Sequence, residues 1–121
     1  MAIQATGSLL DGCVLSLLSR EDAYGYVLTQ QVKSTLGVSE STLYPVMRRL
    51  QTDNCLTAYD MPHNGRNRRF YKITPRGIEK FHECKNEWAD FKNRVDSIML
   101  HSRLEDFSMN PQHESRLEDL A

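Results

Sequence analysis

Ser39, Ser41, Thr42, Tyr44, Arg48 and Arg49 gather hydroxyl, phenol and guanidinium groups in one short stretch, and Arg66, Arg68 and Arg69 follow shortly after. Such groups hydrogen-bond phosphate oxygens and base edges. An ordinary amphipathic helix would carry mixed Glu and Lys on its outer faces. This set is better matched to a polyanion. Tyr44 and Arg48 are expected in a DNA groove, and Ser39, Ser41 and Thr42 on phosphates near a helix start, with Arg49 beside them. Arg66, Arg68 and Arg69 are expected on flanking phosphates or the minor groove.

Charge is distributed to suit that chemistry. The chain has 15 basic and 16 acidic residues, a net charge of −1. Residues 48–80 hold eight basic residues against three acidic ones, +5, which leaves −6 for the remainder. A basic stretch on an acidic chain is a local electrostatic footprint. A solvated hairpin whose arginines do little is the bland alternative.

These residues need elements to hold them. Leu9, Leu10, Cys13, Val14, Leu17 and Leu18 recur at helical spacing, which predicts a first helix over roughly residues 4–19. A second helix is expected from about Tyr24 to Thr35, burying Tyr26, Val27, Val32, Leu36 and part of Gln30, with Gly37 as its stop. Ser39 then caps a third helix, in which Leu43, Val46, Met47 and Leu50 form a buried stripe. Two short helices joined by a Gly-containing turn match a helix-turn-helix. Pro45 conflicts with an ideal helix, so the helix should either kink there or begin after Ser39.

After Leu56 the period changes to that of strands. Leu56–Met61 and Arg69–Ile73 read as a two-stranded wing joined by a polar loop over 62–68, with Asn64-Gly65 as the reversal signal. Thr74-Pro75 then opens a long helix. Phe81, Cys84, Trp88, Phe91, Val95 and Ile98 follow one another in steps of three and four, a coiled-coil-like seam that calls for a partner helix and so for a homodimer. Cys84 is expected at that interface, although packing within one subunit is the alternative. The fold class expected is mainly α (α+β): a winged helix-turn-helix over 1–75, a dimerisation helix over 76–104 and a flexible tail over 105–121.

Composition limits the other possibilities. A chain of 121 residues with 40% apolar and 26% charged residues suits one globular domain. No run approaches the roughly 20 apolar residues that cross a bilayer, and no signal-like start is visible. Cys13, Cys55 and Cys84 are odd in number and far apart, which fits reduced thiols in the cytoplasm. His63, His82, His101 and His113 lack metal-ligand spacing, so neither a metal nor another cofactor is expected.

Three motifs in this order resemble a known family. They are Tyr24-Gly25-Tyr26, the run from Ser39 to Leu50 with its Leu43-Tyr44-Pro45 step, and Arg69-Phe70-Tyr71-Lys72-Ile73-Thr74-Pro75-Arg76-Gly77. Together they are similar to the PadR family of bacterial transcriptional regulators, over roughly residues 5–101. The resemblance implies a winged helix-turn-helix dimer that represses transcription, often near detoxification or drug-efflux genes. It also implies that Pro45 is tolerated, since a Pro after the Leu-Tyr pair is common in the family. With about one long C-terminal helix, the chain looks like the small-member subgroup.

Trp88 is the only Trp, eleven residues after Gly77. In some small PadR-like multidrug regulators, a Trp at this offset meets its symmetry mate and sandwiches flat aromatic ligands. Trp88, Phe91 and Val95 are therefore the candidate ligand residues, with simple seam packing as the alternative for Trp88. The function expected is a sequence-specific DNA-binding repressor, released by a small aromatic ligand or a stress signal. Its partners would be promoter DNA, a second copy of the chain and that effector, with no membrane. A winged-helix adaptor that binds protein instead of DNA is the competing class, kept open by the acidic balance. An enzyme has little support, because no nucleophile–base set or phosphate-cradling Gly loop is visible.

Overall fold

Residues 7–101 are described by a computed structural model. Four helices and three strands follow in the order α1 (Gly7–Arg20), β1 (Ala23–Tyr24), α2 (Gly25–Leu36), α3 (Glu40–Thr52), β2 (Leu56–His63), β3 (Arg66–Ile73) and α4 (Pro75–Met99). The expected helix start at residue 4 and tail over 105–121 lie outside the described residues, whereas the last helix, expected to run to 104, ends at Met99, with Leu100 and His101 in a turn. The chain forms two compact units, one through Lys85 and one from Asn86. The first is the winged helix, and it includes the opening turns of α4.

Its core is the meeting of three apolar helix faces. Leu10, Val14, Leu15 and Leu18 come from α1, Leu28 and Val32 from α2, and Leu43, Val46, Met47 and Leu50 from α3. The α3 stripe is the one the spacing predicts. The α2 stripe is so only in part: Val32 is buried and Gln30 half-buried as expected, but Leu28 and Thr29 complete the buried face, whereas Tyr26, Val27 and Leu36 are exposed. Apolar residues lie all round this helix, so periodicity alone did not select the face; packing on α1 and α3 did.

Local chemistry sets the helix ends. Gly37, at φ 70°, closes α2 and donates its N–H to the Lys33 carbonyl. Ser39 caps α3, its Oγ accepting from the Thr42 N–H at 3.3 Å. The helix therefore begins at Glu40 and continues through Pro45. The late-start alternative does not hold. Pro45 cannot donate to the Ser41 carbonyl, but both residues are exposed and water can serve that oxygen.

The sheet departs from expectation in two ways. β1 pairs with β3, Ala23 opposite Tyr71 and Tyr24 opposite Phe70, which makes three antiparallel strands in the order β1-β3-β2. A two-residue strand has no periodicity to read. Secondly, residues 62–63 and 66–68 are paired strand rather than loop, and only Asn64-Gly65 turns, at φ 54° and 81°. Positive φ at both positions is the turn whose twist suits a hairpin. Pro62 is tolerated because β2 is an edge strand and Pro62 faces Asn67 one step from the His63–Arg66 pair that flanks the turn, a position whose N–H points away from the ladder.

The wing leads directly into α4. The Thr74 Oγ1 accepts from the Gly77 N–H at 3.0 Å and donates to the Asn54 carbonyl at 2.6 Å, so one hydroxyl caps α4 and ties it to the end of α3. Gly77 is needed for this close approach. A Cβ there would lie 2.2 Å from the Cys55 carbonyl oxygen and 2.7 Å from Ile73 Cγ1. Gly77→Ala should therefore lower stability by about 1–3 kcal/mol, the usual cost of overpacking a tight site. A urea midpoint equal to wild type would show that α4 can move away without cost.

Candidate nucleic-acid interface

The turn between α2 and α3 is held from both sides. Gln30 Nε2 donates to Glu40 Oε1 at 2.6 Å, and Lys33 Nζ lies 3.6 Å from the same oxygen. Glu40 also stands in the first turn of α3, where a carboxylate favours the helix dipole. Ser39 Oγ lies 3.0 Å from both Ser41 Oγ and Thr42 Oγ1. The three predicted hydroxyl residues are thus brought together at the start of α3. Hydroxyls rotate, so the cluster can donate outwards to an anion without losing the cap.

The buried stripe decides which α3 residues point outwards. With 3.6 residues per turn, Ser41, Pro45 and Arg48 lie opposite the stripe, and Tyr44 and Arg49 occupy its two flanks. Tyr44 is exposed, as the groove reading requires. The two arginines differ. Arg49 is ion-paired with Asp11 of α1, whose side chain is only 4% exposed. Among the described residues no carboxylate pairs with Arg48.

The pleat separates the three wing arginines that the sequence groups together. Arg66 and Arg68 share a face with Lys72 and Phe70, and Arg69 points to the other face. Arg69 Nε lies 4.0 Å from Asp60 Oδ1, its cross-strand neighbour, with both side chains largely exposed. Such a pair is weak and easily exchanged for a phosphate. Arg68 instead lies over the Tyr24 ring, 5.3 Å from the centroid, and its buried Nε has no hydrogen-bond partner among the described residues. Arg66 stands beside the turn, exposed and without an ion pair among the described residues.

An aromatic cluster supports that face of the wing. Tyr59 stacks on Phe70 at 5.8 Å, and Tyr24 and His63 each lie about 6 Å from Phe70. The Tyr59 hydroxyl donates to Asp22 Oδ2 at 2.7 Å, tying β2 to the end of α1. That hydrogen bond, with some desolvation and the Asp22 charge, raises the Tyr59 pKa above its ordinary value. The Cys13 thiol is also pushed up, by burial, the opposite of an activated thiolate.

In the second unit, Trp88 and Phe91 stand one turn apart with ring centroids 6.4 Å apart and planes tilted 42°. Both are exposed, at 42% and 50%, and Val95 on the same stripe is half-buried. Ile98, at 77%, extends this apolar stripe. Cys84 departs from its expected place at an interface: it is buried in the first unit, where its Cβ would be 2.9 Å from a Cβ on Gly12. No helix among the described residues is long and apolar enough to cross a membrane.

The sequence profile of the transcriptional regulator PadR-like family matches residues 14–83, from α1 through the wing into α4. The chain belongs to this family. Among solved structures, it resembles smu.1704 of Streptococcus mutans, with a TM-score of 0.76 and 31% identity over 84% of this chain and 95% of that one. A PadR-like transcriptional regulator of Bacillus cereus superposes with a TM-score of 0.72 at 29% identity, covering 83% of this chain and 99% of that one. Transcriptional regulator Rv3488 of Mycobacterium tuberculosis is 35% identical over 83 residues, 68% of this chain and 78% of its own length. The mainly helical winged-helix class follows from these matches. So does a place among transcription regulators.

Sequence reasoning missed the contacts of Asp11 with Arg49 and Lys80, and that of Tyr24 with Arg68. A lone Asp in an apolar helix face was the available signal for Asp11, since a buried carboxylate needs a cation. The raised Tyr59 pKa sets a testable sign. A folded-state value above the ordinary 10.0 means that the bond to Asp22 stabilises the wing fully below pH 10 and is lost as pH rises through the folded value. Spectrophotometric titration should show a late phenolate component that Tyr59→Phe and Asp22→Asn each remove. Persistence of that component in Asp22→Asn would place its cause elsewhere.

Proposed function

We propose that the chain is a sequence-specific DNA-binding repressor that acts as a homodimer and is released by a small aromatic effector or stress signal. The observation that carries the DNA-binding part is the outward face of α3. It pairs an anion-ready hydroxyl cluster at the helix start with Arg48, a guanidinium that no carboxylate among the described residues neutralises. In this reading Tyr44 and Arg48 meet base edges, Ser39, Ser41 and Thr42 meet phosphates, and the wing follows the backbone. The DNA-binding part is the unit through Lys85, and α4 from Asn86 to Met99 would serve dimerisation. Arg49 reaches DNA only secondarily, because Asp11 already holds it.

Two binding experiments test the interface. Arg48→Ala should cost about 1–3 kcal/mol of operator affinity if Arg48 reads a base. Unchanged affinity in a gel-shift titration at fixed salt would remove it from the site. Arg66→Ala should weaken binding to all sequences alike and flatten the slope of log K against log salt by about one unit, with a smaller change for Arg69→Ala. A wild-type slope in Arg66→Ala would place the hairpin tip in solvent.

Dimerisation and effector binding rest on the apolar stripe. Trp88, Phe91 and Ile98 on one exposed helix face are costly to leave in water, and a second copy of the same helix covers them symmetrically. Two Trp88 rings facing across the axis would form a slot for planar aromatics, with Phe91 and Val95 beside it. Planar aromatic compounds should then quench the single indole at micromolar concentrations, and Trp88→Ala should abolish their binding while sparing DNA affinity. A dimer that dissociates on Trp88→Ala, with no quenching in the wild type, would make Trp88 a packing residue.

A further inference from the structure

Asp11 holds more charge around it than stability requires. Its side chain is 4% exposed, its Oδ1 is taken by Arg49 Nη2 of α3, and its Oδ2 lies 3.6 Å from Lys80 Nζ of α4. Burying a carboxylate costs several kcal/mol, and paired cations often do no more than offset it. An apolar residue at this point of α1, between Leu10 and Val14, would satisfy the core equally well. The gain from a buried carboxylate is geometric instead.

That geometry concerns α3. Arg49 presents a planar guanidinium, which fixes direction as well as distance when it meets a carboxylate. It directly follows Arg48, about 100° round the same helix, so pinning Arg49 to Asp11 sets where Arg48 points. The helix cannot turn about its axis without losing that bond. Lys80 holds the other oxygen, so the carboxylate's own orientation depends on α4.

The approach of α4 is itself built in. Gly12, the next residue on α1, leaves no Cβ, and Cys84 fills that space, one turn beyond Lys80 on the same side of α4. The Gly12–Cys84 contact brings Lys80 to Asp11. A larger residue at position 12 would move it away.

We propose that Asp11 is a positioning residue for DNA recognition. Through it, Lys80 on α4 sets the azimuth of Arg48 on α3. This rests on the DNA-binding reading above and deepens it, since it makes the opening of α4 a determinant of sequence discrimination. Lys80 acts without touching DNA. A shift of α4 at this level changes specificity more than general affinity.

The test compares wild type, Lys80→Met, Lys80→Arg, Asp11→Asn and the Lys80→Met/Asp11→Asn double variant. Each full-length protein is titrated against the tightest duplex that wild type selects from a random library, and against a scrambled duplex of the same length, over a series of salt concentrations well below the melting temperature. Lys80→Met should bind the selected duplex roughly fivefold to tenfold more weakly, as expected for coupled neighbours. Its affinity for the scrambled duplex and its salt slope should match wild type, and Lys80→Arg should restore discrimination. In the Asp11→Asn background, Lys80→Met should add nothing. If Asp11→Asn fails to fold, the Lys80→Met and Lys80→Arg pair decides by the ratio between the two duplexes.

Three results overturn the inference while leaving the DNA-binding reading intact. Equal weakening on both duplexes, with a slope lower by about one unit, makes Lys80 a phosphate contact. Additive losses in the double variant show that Lys80 does not act through Asp11. Unchanged discrimination in Lys80→Met shows that it does not position α3. A wild-type protein that enriches no duplex overturns both the reading and the inference.

Discussion

Leu43, Val46, Met47 and Leu50 bury one side of α3 against α1 and α2, and the rest of the candidate interface takes its orientation from that seam. Each such side chain gains about 1.5–3 kcal/mol from burial, so rotating the stripe into water would consume most of a small domain's stability. The opposite face is consequently outward whatever occupies it. Pro45 can stand there because a lost helix hydrogen bond is cheap where water replaces it. The Asp11–Arg49 pair refines this coarse orientation, because apolar packing alone is non-directional.

The wing obeys a second constraint, the two-residue period of a strand. Three arginines within four positions cannot share a face, so Arg69 is separated from Arg66 and Arg68. Their chemistry then diverges. Arg68 spends its guanidinium on the Tyr24 ring and links the wing to the start of α2, Arg69 meets Asp60, and Arg66 projects at the tip. β1 makes this arrangement rigid, because it places Tyr24 opposite Phe70 and turns a marginal two-stranded ribbon into a three-stranded sheet.

α4 changes character along its length. Gly77, Phe81 and Cys84 pack into the winged helix, and Gly77 and Gly12 permit contacts that a methyl group would prevent. From Trp88 onwards the apolar stripe is exposed in the single chain except at Val95, which is half-buried. One periodic seam is therefore buried at its start and largely open beyond it, with the same spacing of three to four residues throughout.

The four helices, the wing and several helix and turn boundaries were legible in the sequence because they depend on neighbours within a few positions. Ser39, Gly37, Thr74-Pro75 and Asn64-Gly65 act through local backbone geometry, and the α3 stripe acts through a period that a single helix carries. The outer hydroxyls, Tyr44 and Arg48 followed from that stripe by subtraction. Tertiary structure alone decided which α2 residues are buried, that β1 exists, that the wing arginines part, and that Cys84 belongs to the first unit. It also decided that Arg49 answers to an Asp 38 positions away. The reason is common to all of these. They turn on contacts between segments remote in sequence, where burial and charge pairing outweigh local preference, and no spacing along the chain records which remote partner will arrive.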